Sequence, residues 1–126
     1  MIRRDWPLTD NPSHWLLIPQ HEHARLSEKL AKAWRLPSID DLFEGTQTNP
    51  EEVVQAIRFH DCGWQEWDPS PGIDPEHGRP YGFTEMPPQD AQRIWDESIR
   101  ACRVLGPLAG WMVSGHFIHL QSKQDA

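Results

Sequence analysis

The adjacent pair His60-Asp61 places the strongest constraint on how this chain can fold. It sits in the run Ala56-Ile57-Arg58-Phe59-His60-Asp61-Cys62-Gly63-Trp64, at the end of what reads as an apolar helix face. A polar group carried into a core costs roughly 2–7 kcal/mol when nothing satisfies it. A fold that buries this pair has to supply partners, and a divalent cation satisfies a neutral nitrogen and an anionic oxygen at once. The pair therefore points to a metal site and leaves the substrate open.

With 126 residues, the chain is expected to form one domain, 1–126, around a single core. Its hydrophobic fraction is low at 37%, but seven tryptophans offer large buriable surfaces, which argues for a folded domain over disorder. The formal charge is −7 and the basic residues are scattered, which argues against a nucleic-acid partner. No apolar run reaches the length of a membrane span, and the N-terminus does not read as a signal peptide. Cys62 and Cys102 lack CxxC spacing, fit a reducing cytoplasm, and read as small buried hydrophobes rather than metal or redox groups.

Along the chain, Met1-Ile2 and Trp15-Leu16-Leu17-Ile18 flank a stretch holding Pro7, Pro12 and Pro19 and suit a short hairpin. A first helix is expected over His21 to Trp34. At 100° per residue Leu26, Leu30, Ala33 and Trp34 fall within about 80° of His23, with Glu22, Arg25, Glu28, Lys29 and Lys32 on the wet face. His21 points the other way. Pro37 to Thr48 reads as an acidic loop. Asn49-Pro50-Glu51-Glu52 is a helix start, with an Asn cap, a proline in the first turn and acids beside it. The helix that follows carries Val53, Ile57 and His60 on one stripe, and Gly63 stands where a C-terminal stop is expected.

Trp64 to Pro88 holds half of the chain's twelve prolines and reads as a long irregular segment, of the kind that is often functional when ordered. A third helix is expected from Pro88 to Val104, ended by Gly106-Pro107. A fourth begins near Pro107 and carries Leu108, Trp111, Met112, Gly115, His116 and His119 toward one side, before a polar tail from Gln121 to Ala126. The fold class is mainly α, with a short N-terminal β-hairpin and a long Pro/Gly-rich loop.

Three expected helices thus bring a histidine to an apolar face: His23, His60 beside Asp61, and His116 near His119. One such histidine is most simply a core residue bonded to a carbonyl. Three converging on one core favour a shared metal over three separate solutions. His14 and His77 lie in proline-rich loops and read as solvated.

His60-Asp61-Cys62-Gly63 resembles the His-Asp-x-Gly signature of the HD-domain superfamily. That resemblance implies a compact helical domain binding a divalent metal through an upstream histidine, the His-Asp pair and a downstream ligand, often to hydrolyse phosphate esters. His23 matches the upstream position. The usual downstream aspartate has no counterpart on the fourth helix, where His116 stands instead. A closer resemblance covers nearly the whole chain. Leu17-Ile18-Pro19-Gln20, His23-Ala24, His60-Asp61-Cys62-Gly63-Trp64, Trp67-Asp68, Pro71, Gly78-Arg79-Pro80, Phe83 and Ser114-Gly115-His116 together resemble the uncharacterised DUF3891 family. Members of that family continue with further helices, so the resemblance implies a short form or a fragment.

The expected centre is then His23, His60, Asp61 and His116 around one divalent ion (Fe, Mn, Zn or Ni) with a position left for water. Such an ion brings bound water toward a pKa of ~7. Asp61 and Asp68 are the candidate catalytic carboxylates, Asp68 as a proton acceptor or as a partner of a ligating imidazole; capping the turn at Pro69 is its plainer role. Arg79 would clamp an anionic oxygen, or else pair with Asp68, Asp74 or Glu85. Trp64, Trp67 and Phe83, with Tyr81, would line the pocket, core packing being the alternative for the two tryptophans. The function expected is metal-dependent hydrolysis of a small, phosphorylated molecule. Its rivals are a non-catalytic metal or small-ligand binding module and a helical interaction protein, with self-association left open.

Overall fold

The computed structural model describes residues 1–9, 13–34 and 37–124. Two strands, β1 (Ile2–Trp6) and β2 (His14–Ile18), form an antiparallel hairpin with Ile2 opposite Ile18 and Trp6 opposite His14. Helix α1 (Gln20–Ala33) follows, then a short α2 (Ile39–Phe43) and α3 (Pro50–Phe59). A 3₁₀ turn at Cys62–Gln65 leads into the proline-rich segment, whose two-residue strands β3 (Ile73–Asp74) and β4 (Arg79–Pro80) pair with each other. Two 18-residue helices, α4 (Pro88–Leu105) and α5 (Pro107–Gln124), complete a mainly helical fold. None of the described helices is long and apolar enough to cross a membrane.

Local signals account for the helix starts that the sequence displays. Asn49 accepts the Glu51 N–H at 3.0 Å and Pro50 occupies the first turn of α3. Helix α2, expected as loop, exists because Ser38 and Asp41 form a reciprocal capping box. Between α4 and α5 Gly106, at φ +157°, lies against the Glu52 carboxylate, which accepts the Ala109 N–H and would have to shift to admit a Cβ. The expected polar tail is instead the last turn of α5, as far as Gln124. Pro12, expected in the hairpin connection, and Ala126, at the end of that tail, lie outside the described residues.

The core lies between the 3₁₀ turn, α4 and α5. Trp64, Ile94, Cys102, Ala109 and Val113 are almost fully enclosed, and the Trp95 and Phe117 rings stack at 5.4 Å and 18°. Gly63 does not stop α3, which ends at Phe59. It is buried against α4, where a Cβ would collide with the Ile94 carbonyl and Ser98, and its N–H donates to Ser98 Oγ at 2.9 Å. The 3₁₀ turn can press against α4 only without a side chain at this position.

Helix α1 departs most from expectation. Leu26, Leu30 and Trp34 are exposed, whereas Gln20, Ala24 and Glu28 are buried. Glu28, placed on the wet face by helical phasing, joins Arg58 of α3 at 2.5 Å and Lys32 at 2.8 Å. Small Ala24 and this ion-pair seam let α1 lie on α3 through its polar side. On α5 the buried stripe is Ala109, Val113 and Phe117, so Trp111 and His119 face outward and not toward the core as expected.

Candidate metal centre

His60 is the first residue beyond α3 and Asp61 opens the 3₁₀ turn, so both are fixed by the bend that Gly63 permits. The His60 Nδ1 lies 2.6 Å from the Ile57 carbonyl oxygen. A carbonyl can only accept, so Nδ1 carries the proton and Nε2 is left to present a lone pair. That Nε2 stands 3.1 Å from Asp61 Oδ2, an oxygen that also has only lone pairs when ionised. The two atoms repel unless a proton or a cation lies between them.

His23, on α1, completes a three-residue group. One ligand atom each from His23, His60 and Asp61 lies within 4.8 Å of the others, with His23 exposed, His60 half-buried and Asp61 buried. The His23 and His60 rings meet edge to face at 5.7 Å, and His116 of α5 approaches His60 the same way at 5.0 Å. His23, His60 and Asp61 thus form one group, and His116 adjoins it through the His60 ring. The chain belongs to the DUF3891 family. The model of that family, described as proteins of unknown function, matches residues 7–126. No curated protein and no solved structure matches the chain.

The electrostatics of this DUF3891 site are uneven. Burial pushes the His60 imidazole down, but its hydrogen bond to Asp61, the Asp61 charge and the Ile57 carbonyl outweigh that, and its pKa ends above the usual value. Burial, with a contribution from neighbouring His60, pushes His116 below it. Carboxylate and imidazoles are donors that suit divalent transition metals, and the Nδ1–H···O=C bond of His60 is the arrangement that orients a ligating histidine. The residues present thus fit such an ion.

Two cavities meet the cluster. The outer one, about 310 Å³, is lined by His23, His60 and His116 together with Ser27 and apolar residues of α3 and α5. The inner one, about 50 Å³, lies among Gln20, Asp61, Trp64 and Phe83, with His23 and His116 shared between the two. Gln20 Oε1 and Trp64 Nε1 are buried without a hydrogen-bond partner among the described residues. Gln20 was not singled out in the sequence as a site residue, although its spacing three before His23 places both on one side of α1.

The other expected site residues are less closely drawn in. Trp64 and Phe83 line the inner cavity, Trp64 as a core residue only 2% exposed. Trp67 packs beside Gly72 and lines neither cavity. Asp68 is engaged elsewhere: Oδ2 accepts the Gln20 N–H at 2.7 Å and Oδ1 faces the buried Met1 ammonium at 3.0 Å, which fastens the hairpin to the start of α1. Arg79 pairs with Glu85 at 3.1 Å, as does Arg3 at 2.8 Å. Cys102 is buried as expected, whereas Cys62 is half-buried, and hydrogen bonds from Cys102 and Ser98 draw its thiol to a lower pKa.

Proposed function

We propose that His23, His60 and Asp61, with His116 beside them, hold one divalent metal ion in an HD-like helical domain, and that the protein hydrolyses a small molecule there. The observation carrying this reading is the 3.1 Å approach of His60 Nε2 to Asp61 Oδ2 while Nδ1 is committed to Ile57. When bound, the metal supplies Lewis-acid activation of water near neutral pH. The protein's own part is to orient the His60 ring through the Ile57 carbonyl and to hold Asp61 out of solvent through the 3₁₀ turn. His23 and His116 sit where one face of the cluster meets the outer cavity. The phosphate part of the expectation came from the HD-domain resemblance, and Arg79, the clamp expected for an anionic oxygen, is paired with Glu85. The proposal therefore extends to small-molecule hydrolysis and not to phosphate in particular.

A second reading, a metal-dependent binding module without turnover, draws support from Asp68. The carboxylate expected to accept a proton is held by Met1 and Gln20, leaving Asp61 as the carboxylate at the cluster. A panel of esters, amides, phosphomonoesters and phosphodiesters, assayed before and after chelation and metal add-back, divides the two. Turnover that disappears on chelation, returns with metal and is absent in His60→Ala supports the hydrolase. Metal binding with no turnover of any member supports the binding module.

A further inference from the structure

The walls of the outer cavity specify what enters it. Ala56 and Ile57 of α3 and Met112 and Val113 of α5 face one another across about 310 Å³, a volume suited to a small organic ligand. The imidazoles of His23, His60 and His116 provide its polar end. The remaining polar lining residue, Ser27, donates its hydroxyl to the His23 carbonyl at 3.0 Å. Among the described residues, no lysine, arginine or acid lines the space. The nearby guanidinium, that of Arg58, is bound to Glu28 and lies over the Phe59 ring. Without a metal ion at the histidines, a polyanion would meet no lysine or arginine in this lining and, with a formal charge of −7 on the whole chain, an unfavourable long-range field.

We infer that the outer cavity selects an uncharged molecule with an apolar body and a single polar end directed at the histidine cluster, and that in the metal-free protein it discriminates against phosphates and nucleotides. This assigns a substrate class to the site proposed above and rests on that reading only for the role of the polar end. The apolar walls act with or without metal.

The three methionine methyl groups make the inference testable by NMR. Met112 lines the cavity, whereas Met1 and Met86 are buried elsewhere and serve as internal controls. Methyl-labelled protein, metal-free and zinc-loaded, is titrated with 1-butanol, 1-hexanol and 1-octanol, and separately with inorganic phosphate and AMP. The Met112 methyl is expected to shift saturably with the alcohols while Met1 and Met86 stay in place. Affinity should rise by up to about fourfold per added methylene, the factor corresponding to burial of one CH₂. In the metal-free protein phosphate and AMP should leave Met112 unmoved, and Ser27→Phe, which fills the cavity from α1, should weaken 1-hexanol binding at least about tenfold. Unchanged Met1 and Met86 methyl signals show that this variant is folded. Absence of zinc binding, with the Met112 response to alcohols intact, overturns the metal reading and leaves this inference standing. No dependence on chain length in the wild-type protein, or AMP binding to the metal-free protein as tight as that of 1-hexanol, overturns this inference.

Discussion

Helices α1 and α4 carry equally legible apolar stripes, and the fold treats them in opposite ways. On α4 the stripe is inside: Ile94, Trp95 and Cys102 meet the 3₁₀ turn and α5. On α1 the stripe is outside, and the face turned to α3 holds Ala24 and the Glu28–Arg58 pair. Periodicity shows that a helix has two faces, while the partner decides which is buried. The difference also locates the candidate site. The inner side of the α4–α5 pair is filled by Trp64, Ile94 and Val113, whereas the seam of α1 with α3 and α5 leaves His23, His60 and His116 around an open cavity.

Truncations should separate the two regions by size of effect. Trp64→Ala, in the well-packed region, is expected to cost about 4 kcal/mol in urea unfolding, because a large enclosed ring leaves a void. Gly63→Ala should cost about 3 kcal/mol, since the obstacle to its Cβ includes the α4 backbone, which cannot swing aside. A loss under about 1 kcal/mol for either would mean that the 3₁₀ turn is not held against α4 as described.

A smaller effect comes from ionisation at the seam. In metal-free protein the folded His60 pKa is raised, so the His60–Asp61 pair contributes stability that is complete below the unfolded imidazole value of about 6.5 and is lost as pH rises through the folded value. His116, shifted down, titrates below that window. Following each imidazole ring by NMR in the presence of chelator should find His60 ionising above the ordinary value and His116 below it, and the reverse order would break the assignment. Smallest of all, Leu30→Ala on the exposed stripe of α1 should change stability by no more than about 0.5 kcal/mol. A cost above about 2 kcal/mol would mean that the α1 stripe is covered in solution.

Features encoded within a few residues were legible in the sequence: the Asn49-Pro50 start of α3, the Gly106-Pro107 break, and the short N-terminal hairpin, though not its register. His23, His60 and His116 do come together, but beside an open cavity and not inside the core, with His23 and His116 exposed. The roles of Asp68 and Arg79 were not legible, because their partners are the distant Met1 ammonium and Glu85, and nothing local to either residue announces the pairing. The face of α1 was misread for the same reason. Its orientation depends on Arg58, thirty positions beyond Glu28 and on another helix.

The central claim is that a cation stands between His60 Nε2 and Asp61 Oδ2 in the working protein. Elemental analysis of protein purified without a histidine tag, beside His60→Ala prepared identically, tests it most directly. About one divalent transition-metal ion per chain in the wild type, lost in the variant and removed by chelation with a fall in Tm, is the predicted result. No metal in either protein after exposure to zinc, manganese, iron and nickel, with Tm indifferent to chelator, would contradict it.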